Sequence, residues 1–271
     1  MKPVFTALAV EIDAPLASVA LNRPDKANAM NAALWQELED CFRWLDSEPS
    51  VRVVILTGLG KHFCSGLDLE MFADIAQLQA PDAARRNELL RRKILAMQAN
   101  LSAIEQCRKP VLAAVHGACI GGGMDMILCC DLRYASADAR FCVKETAIGM
   151  TADVGTLQRL PAVVGQGIAA ELALTADTVD AAEAQRIGLV NRVYANREQL
   201  QDGARAIALK IAAHSPLAVR GTKQMLLYAR DHSVADGLNH VATWNAGLLS
   251  SEDVTEAMTA QLEGRPPRFE E

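Results

Sequence analysis

Two short apolar runs, residues 51–57 and residues 110–115, constrain the fold more than any other feature of this sequence. The first is rich in β-branched residues, and the second has no polar residue, which is typical of strands buried on both faces of a parallel sheet. Asn31 is a good N-cap for a helix before the first run. Because residues 17–21 have an earlier strand pattern, the order strand, helix, strand predicts a parallel crossover and an α/β fold.

The remaining periodic patterns fit an α/β chain with helices in its C-terminal part. Residues 8–12 and 17–21 alternate on either side of Pro15, which predicts a β-hairpin. Further strands are predicted over residues 132–135, 140–143 and 189–194, and further helices over residues 71–106, 181–186, 197–213, 218–229, 234–249 and 253–262. A length of 271 residues and a hydrophobic content of 51% allow one large core or one domain with a modest appendage.

Composition and charge argue against several functional classes. The formal net charge is -6 with both signs interspersed, so there is no basic stripe for nucleic acid. Residues 110–130 are the most apolar region, but they contain His116, four glycines and Asp125, and are therefore a poor membrane span. Five basic residues lie mostly off the apolar stripe of the predicted helical region over residues 71–106, namely Arg85, Arg86, Arg91, Arg92 and Lys93. Such residues usually form a solvated face, and they could instead meet phosphates.

The cysteines and the two ends of the sequence bear on the compartment. Seven cysteines without a two-residue spacing fit neither a disulfide framework nor a zinc site, so we interpret them as small buried side chains in a reducing compartment. The start is not typical of a signal or transit peptide, and residues 268–271 lack the peroxisomal tripeptide. We therefore expect a soluble, cytoplasmic protein.

A triple glycine followed by three separated carboxylates is the candidate catalytic stretch. The glycines mark the turn into a helix that is predicted to begin near Gly123. The first amides of a helix have no intrahelical partner and lie at the positive end of its dipole. Such amides can hold a developing negative oxygen, and glycine lets them approach a ligand closely. Asp125 lies in the first turn, where it either serves catalysis or only complements the dipole.

The other two carboxylates also allow two interpretations each. Glu145 follows the predicted strand over residues 140–143, and a loop glutamate is more often solvated than catalytic. Asp153 precedes a predicted helix, so it either caps that helix or transfers protons. An asparagine at this position distinguishes the two, because it caps a helix about as well but cannot carry a titrating proton.

Three segments of the chain resemble the crotonase superfamily of enoyl-CoA hydratases and isomerases. They are residues 63–68 (FCSGLD), 116–123 (HGACIGGG) and 156–161 (TLQRLP). From its own residues, the loop over residues 61–69 could equally well be a functional loop or only a connector into the helices that follow. The resemblance implies an α/β, crotonase-like spiral of repeated ββα units with a C-terminal helical region. In it, residues 1–195 form the core with the CoA and catalytic site, and residues 196–271 join subunits into a homotrimer or a homohexamer.

The resemblance also implies the substrate-binding residues. In this superfamily the thioester oxygen of an acyl-CoA lies between two main-chain amides, which correspond here to Leu67 and Gly122. Arg23, Lys26 and Ala27 match the stretch near the CoA phosphates and adenine, although a lone lysine in a turn is usually only solvated. The implied substrate-binding set is Arg23, Lys26, Ala27, Ser65, Gly66, Leu67, Asp68 and Gly122.

Within the superfamily the chain most resembles the dienoyl-CoA isomerases, which move a 3,5-diene into 2,4 conjugation with the thioester in fatty-acid β-oxidation. Asp153 stands where hydratases typically have glycine, and Asp125 where they generally have glutamate. The resemblance implies that Asp153 removes a proton from C2, that Glu145 donates one to C6, and that Asp125 tunes the pocket. The sequence alone leaves the order of base and acid open.

Two other functions stay open at this point. A hydratase of the same fold would use Asp125 and Glu145 to activate water, and a noncatalytic acyl-CoA-binding protein could share the fold without its chemistry. His62 and His116 have no matching serine or cysteine motif, so we do not predict a catalytic triad. We expect no metal and no separate cofactor, because CoA enters as part of the substrate.

Overall fold

Two β-sheets and eleven α-helices make up the residues that the computed structural model describes, 3–77 and 79–271. The strands are β1 (Leu8–Asp13), β2 (Leu16–Leu21), β3 (Val53–Gly58), β4 (Val111–Val115), β5 (Ala118–Ile120), β6 (Leu132–Ser136), β7 (Arg140–Cys142), β8 (Val179–Asp180) and β9 (Arg192–Tyr194). The helices are α1 (Ala32–Ser47), α2 (Leu69–Ala76), α3 (Ala83–Gln106), α4 (Gly122–Leu128), α5 (Thr156–Val164), α6 (Gln166–Thr175), α7 (Ala181–Arg186), α8 (Arg197–Ala212), α9 (Pro216–Tyr228), α10 (Val234–Leu248) and α11 (Glu252–Glu263).

The larger sheet has six strands in the order β1-β2-β3-β4-β6-β9. Its first pair is antiparallel and all the other pairs are parallel, which confirms the predicted hairpin and the predicted crossover through α1. The second sheet has three strands in the order β5-β7-β8, with β5 parallel to β7. The α/β prediction is therefore confirmed.

Three successive ββα units generate this arrangement. In two of them the first strand joins the large sheet and the second joins the small one: β4 and β5 precede α4, and β6 and β7 precede α5. The earlier unit begins with β3 and, in place of a second strand, has an isolated parallel bridge to the small sheet between Cys64 and Cys119, followed by another bridge between Leu67 and Met30. The loop after β3 is therefore fastened to β5, which brings it next to the start of α4.

Helices cover both faces of the large sheet. The side chain of Asn31 accepts a hydrogen bond from the amide of Leu34, as its predicted capping role requires, and α1 packs against α3 on one face. On the other face α8 contributes four fully or nearly buried side chains at four-residue spacing, namely Leu200, Ala204, Ala208 and Ala212. The division of the chain after residue 195 stays a prediction.

Some elements differ from the sequence-based prediction. Helix α6 was not predicted, because it follows Gly165 and has no capping side chain at its start. Strand β5 has only three residues, and β9 is shorter than the predicted run over residues 189–194. All seven cysteines are buried and none forms a disulfide bond, as predicted. Among residues 3–77 and 79–271, none of the helices has the length and apolar character needed to cross a membrane.

A buried ion pair fastens α9 to the sheet. The ammonium of Lys223 lies 2.7 Å from Asp131, whose carboxylate also accepts the amide of Val111. Lys223→Met should lower the free energy of unfolding by about 2–3 kcal/mol, since it leaves Asp131 unpaired, although one quarter of that side chain is exposed. Urea unfolding measures this change. Lys210→Met, at an exposed position of α8, is the matched control and should change stability by less than about 0.5 kcal/mol.

Candidate active site

Two main-chain amides from different ββα units lie beside each other. Met30 bonds to the residues on either side of Leu67, through Gly66 O and Asp68 N, so the amide of Leu67 itself is directed away from Met30. Gly122 is the first residue of α4, where an amide has no intrahelical acceptor. Neither amide has a hydrogen-bond acceptor among residues 3–77 and 79–271.

Gly66 allows the close approach of these two segments. It has a positive φ of 97°, and a Cβ atom there would lie 3.1 Å from Ile120 O and 3.8 Å from Gly122 N. A larger residue would therefore be strained in its backbone and would push β5 and α4 away. Steric limits thus explain why the predicted motif over residues 63–68 has a glycine at this position. The close approach lets the amides of Leu67 and Gly122 face one oxygen atom.

A cleft of about 570 Å³ opens beside the two amides. One wall comes from α3, where Leu90, Ile94 and Met97 of the predicted apolar stripe face the cleft. Trp35 contributes to another wall, with an indole N–H that is buried and has no acceptor among the described residues. Such a mainly apolar cleft with a few convergent polar groups is typical of a small-molecule site.

Three carboxylates line the same cleft, namely Asp125, Glu145 and Asp153. Glu145 begins a short 3-10 helix, and its Oε1 lies 3.2 Å from where a Cβ atom on Gly121 would be. Burial, together with the nearby charge of Asp153, raises the pKa of Glu145, and its Oε2 is buried without a hydrogen-bond partner in the described part of the chain. Burial also raises the pKa of Asp153. Both groups thus hold protons more readily than free carboxylates do.

Asp125 has a structural contact that its sequence position did not indicate. It is fully buried, and its Oδ1 accepts a 2.7 Å hydrogen bond from the amide of Thr156, at the start of α5. Gly155 is the N-cap residue of that helix, so the interpretation of Asp153 as its N-cap is wrong. Burial is the main reason that the pKa of Asp125 is raised to about 7, and the nearby charges of Glu145 and Asp153 raise it further. The hydrogen bond from Thr156 acts in the opposite direction and lowers it.

Asp125 should make stability depend on pH. Its pKa is about 7 in the folded protein and 3.8 as the ordinary value, so the folded state binds a proton that the unfolded state releases. The resulting stabilisation is complete below pH 3.8 and is lost as pH rises through 7. We expect Asp125→Asn, which can still accept from Thr156, to gain about 2 kcal/mol relative to wild type between roughly pH 5.5 and 7.

Urea unfolding at a series of pH values measures this gain. The matched control is Asp177→Asn at an exposed position, for which the difference from wild type should stay constant over the same pH range. Parallel stability curves for wild type and Asp125→Asn would contradict the assignment of a raised pKa to Asp125.

The predicted substrate-binding residues divide into two groups. Ser65, Gly66, Leu67 and Gly122 line the cleft, whereas Arg23, Lys26, Ala27 and Asp68 are not among its lining residues. The last four lie on or beside the loop between β2 and α1: Arg23 is 2.8 Å from Asp68, and Ala27 O accepts the amide of Ser65. The hydrogen bond from Arg23 is the main cause of the lowered pKa of Asp68.

The sequence-based prediction missed Asn28, which holds this loop in place. Asn28 is fully buried with a positive φ of 55°. Its side chain accepts the amide of Arg23 and donates to Leu59 O and His62 O. The only signal in the sequence was the asparagine itself, since this residue tolerates left-handed backbone better than most. In the described part of the chain, no group of three or more His, Cys, Asp or Glu residues is arranged to hold a metal ion.

Comparisons with known proteins agree with this arrangement. Residues 11–271 match the family described as enoyl-CoA hydratase/isomerase. The chain is 49% identical to the peroxisomal Delta(3,5)-Delta(2,4)-dienoyl-CoA isomerase of Arabidopsis thaliana, over 95% of this chain and 93% of that protein. It is 48% identical to the mitochondrial enzyme of the same name from Homo sapiens, over 91% of this chain and 76% of that protein. A crystal structure of an enoyl-CoA hydratase from Bacillus anthracis matches with a TM-score of 0.89 and 31% identity, and the match covers 98% of this chain and 99% of that one.

The expectation of a cytoplasmic location is wrong in the light of these relatives, whose names place them in peroxisomes or mitochondria. The physical reason is that a targeting signal is an address read by a receptor and contributes nothing to the packing of the fold. Composition, charge and cysteine burial therefore describe how the chain folds and not where it is delivered.

Proposed function

The chain belongs to the enoyl-CoA hydratase/isomerase family and is an enzyme, and we propose that it converts 3,5-dienoyl-CoA to 2,4-dienoyl-CoA in fatty-acid β-oxidation. One observation carries this proposal: the cleft beside the two free amides is lined by three carboxylates, Asp125, Glu145 and Asp153. A proton transfer between distant carbons needs a base and an acid at separate places in one cleft. The third carboxylate is what a hydratase of this fold does not require.

The amides of Leu67 and Gly122 form the oxyanion hole of the proposed reaction. When C2 loses a proton, negative charge spreads onto the thioester oxygen, and two preorganised amides stabilise that charge more in the transition state than in the ground state. One such donor typically contributes roughly 3 to 4 kcal/mol. Their lack of any other acceptor among the described residues leaves both amides available.

The carboxylates move the protons. The ionised Asp153 takes the proton from C2, and the electrons of that C–H bond form a C1=C2 double bond while negative charge moves onto the thioester oxygen. Protonated Glu145 then donates its proton to C6, which takes it with the electrons of the C5=C6 bond. The C3=C4 pair becomes C4=C5, the C1=C2 pair becomes C2=C3, and the thioester carbonyl re-forms, so the product is neutral. Asp153 is left protonated and Glu145 ionised, and proton exchange with solvent restores both groups. The raised pKa of Glu145 favours the protonated form that this step requires. Asp125 tunes the pocket by its charge and fixes the start of α5.

CoA is the carrier of the substrate, and the reaction needs no metal and no further cofactor. We assign its binding to the loop that contains Arg23, Lys26 and Ala27, next to Ser65, Gly66 and Asp68. The contacts of Ala27 O with the amide of Ser65, and of Arg23 with Asp68, support this assignment, since they connect that loop with the oxyanion hole. The side chain of Arg23, which is 18% exposed, is held by Asp68 and by Ala29 O.

The assembly we propose is a homotrimer or a homohexamer built as a dimer of trimers, with residues 1–195 as the catalytic core. Within residues 196–271, α8 covers the sheet, and the later helices expose large apolar side chains that an interface would cover, namely Leu226, Val234, Leu238, Leu249, Met258 and Leu262. Light scattering of the eluted protein should give three or six times the mass of one chain.

A product assay tests the proposed reaction. Purified protein is offered a 3,5-dienoyl-CoA and, separately, a 2-enoyl-CoA, while the absorbance of the conjugated 2,4-diene and of the enoyl thioester is followed. We expect the conjugated diene to appear. Loss of the enoyl absorbance without any diene formation would instead identify a hydratase, and tight CoA-ester binding without turnover of either compound would identify a noncatalytic binding protein.

A further inference from the structure

The segment that carries Asp153 is a thin wall between two cavities. On one side is the cleft with the carboxylates, and on the other is a polar cavity of about 490 Å³ between α3, α5 and the end of α9. Val154 lines both cavities. Asp153 lines the cleft, and the residue that follows it separates the cleft from the second cavity, so this segment is not packed on both sides and close packing alone does not set the direction of the Asp153 side chain.

The backbone at both ends of this segment has a conformation that favours glycine. Gly149 has a φ of 77° and Gly155 a φ of 132°. Ala152 and Val154 are buried, but apolar burial is non-directional and does not fix the rotation of a peptide plane. A directional contact is needed to hold Asp153 in one orientation.

A single hydrogen bond supplies that contact. The side-chain amide of Gln98, on α3, donates to Asp153 O at 2.6 Å. Among the described residues it is the only hydrogen bond that joins residues 151–154 to another part of the chain, since the Asp153 carboxylate otherwise bonds only to its own backbone N–H. Because the peptide unit is planar, holding this oxygen restricts ψ of Asp153, and with it the direction of its Cα–Cβ bond relative to α3.

Helix α3 is itself held firmly against α5. Glu105, two turns after Gln98, lies 3.1 Å from Arg159 of α5 and 2.8 Å from Arg230. Met97, next to Gln98, is buried and lines the catalytic cleft. The amide of Gln98 is therefore attached to a rigid support, as a residue that positions a catalytic group must be.

We propose that Gln98 is the positioning residue that directs the Asp153 carboxylate at C2 of the substrate. The inference rests on the proposed function, because it concerns the base of that reaction. Gln98 touches neither the substrate nor the reacting atoms; it acts through the backbone of Asp153. Its removal should lower kcat without weakening substrate binding, since misplacing a catalytic group by about 1 Å can cost on the order of a hundredfold in rate.

The test compares Gln98→Met with Gln158→Met. Gln158 lines the same polar cavity, and no side-chain hydrogen bond of Gln158 is found among the described residues, so the pair differs in the contact with Asp153. We expect Gln98→Met to lower kcat by about tenfold or more, with KM and melting temperature nearly unchanged. Amide hydrogen exchange in residues 150–155 should become faster. Gln158→Met should behave like wild type in all four measurements.

Gln98→Glu provides a second variant of nearly the same shape, which cannot donate when ionised, and it should lose as much activity as Gln98→Met. A kcat within twofold of wild type in either variant, or an equal loss in Gln158→Met, would overturn the proposal. If wild type fails to isomerise a 3,5-dienoyl-CoA, the proposed function fails instead. The exchange measurement then still decides whether Gln98 holds the segment, because it does not depend on activity.

Discussion

Asp153→Asn is expected to lower kcat for 3,5-dienoyl-CoA isomerisation by about 10²–10⁴-fold, the usual contribution of a general base. Asparagine has nearly the same shape but cannot accept the C2 proton. The side chain of Asp153 caps no helix, since Gly155 occupies the N-cap position of α5. The melting temperature should therefore stay close to that of wild type, and the loss of activity should reflect proton transfer alone.

The measurement is the initial rate of conjugated-diene formation, with thermal unfolding recorded on the same samples. Asp177→Asn makes the same chemical change at an exposed position outside the cleft and should keep full activity. Full isomerisation by Asp153→Asn would show that Asp153 is not the base, and the proton path from C2 to C6 through Asp153 and Glu145 would then be wrong.

Glu145→Gln should cause a loss of similar size, about 10²–10⁴-fold in kcat, because glutamine cannot deliver a proton to C6. The two variants should nevertheless differ in one respect. If Asp153 is the base, Glu145→Gln still removes the C2 proton and returns it, so the substrate exchanges its C2 hydrogen with deuterated solvent. Asp153→Asn should show neither exchange nor isomerisation.

Mass spectrometry of recovered substrate measures this exchange. Glu171→Gln, on an exposed face of α6, is the control and should match wild type. Exchange in Asp153→Asn together with none in Glu145→Gln would reverse the roles of base and acid, a point that the sequence alone leaves open. Equal activity of Glu145→Gln and wild type would exclude Glu145 from the reaction.

The fold could be predicted largely because its signals are local. Asn31 marks the start of α1, and the apolar run over residues 110–115 marks a buried strand, so neighbouring residues contain the information. The missed helix α6 shows the limit of this reasoning, since nothing capped its start. Where local chemistry is weak, packing against the rest of the chain decides the structure.

The candidate site could be predicted only in part. The sequence placed the carboxylates at the ends of separate elements, but the bond from Thr156 to Asp125 and that from Gln98 to Asp153 join residues far apart in the chain. No spacing rule indicates such contacts, because they depend on how whole helices pack. Likewise, the raised pKa of Asp125 follows mainly from burial, which the sequence does not state.

The bridge between Cys64 and Cys119 has a consequence for how activity is acquired during folding. Leu67 is supplied by one ββα unit and Gly122 by the next, so neither unit alone contains a complete oxyanion hole. Catalytic activity therefore arises only when neighbouring turns of the spiral stack in the correct alignment. A chain whose turns were offset by two residues would keep each side chain on its own face of the sheet and still be inert.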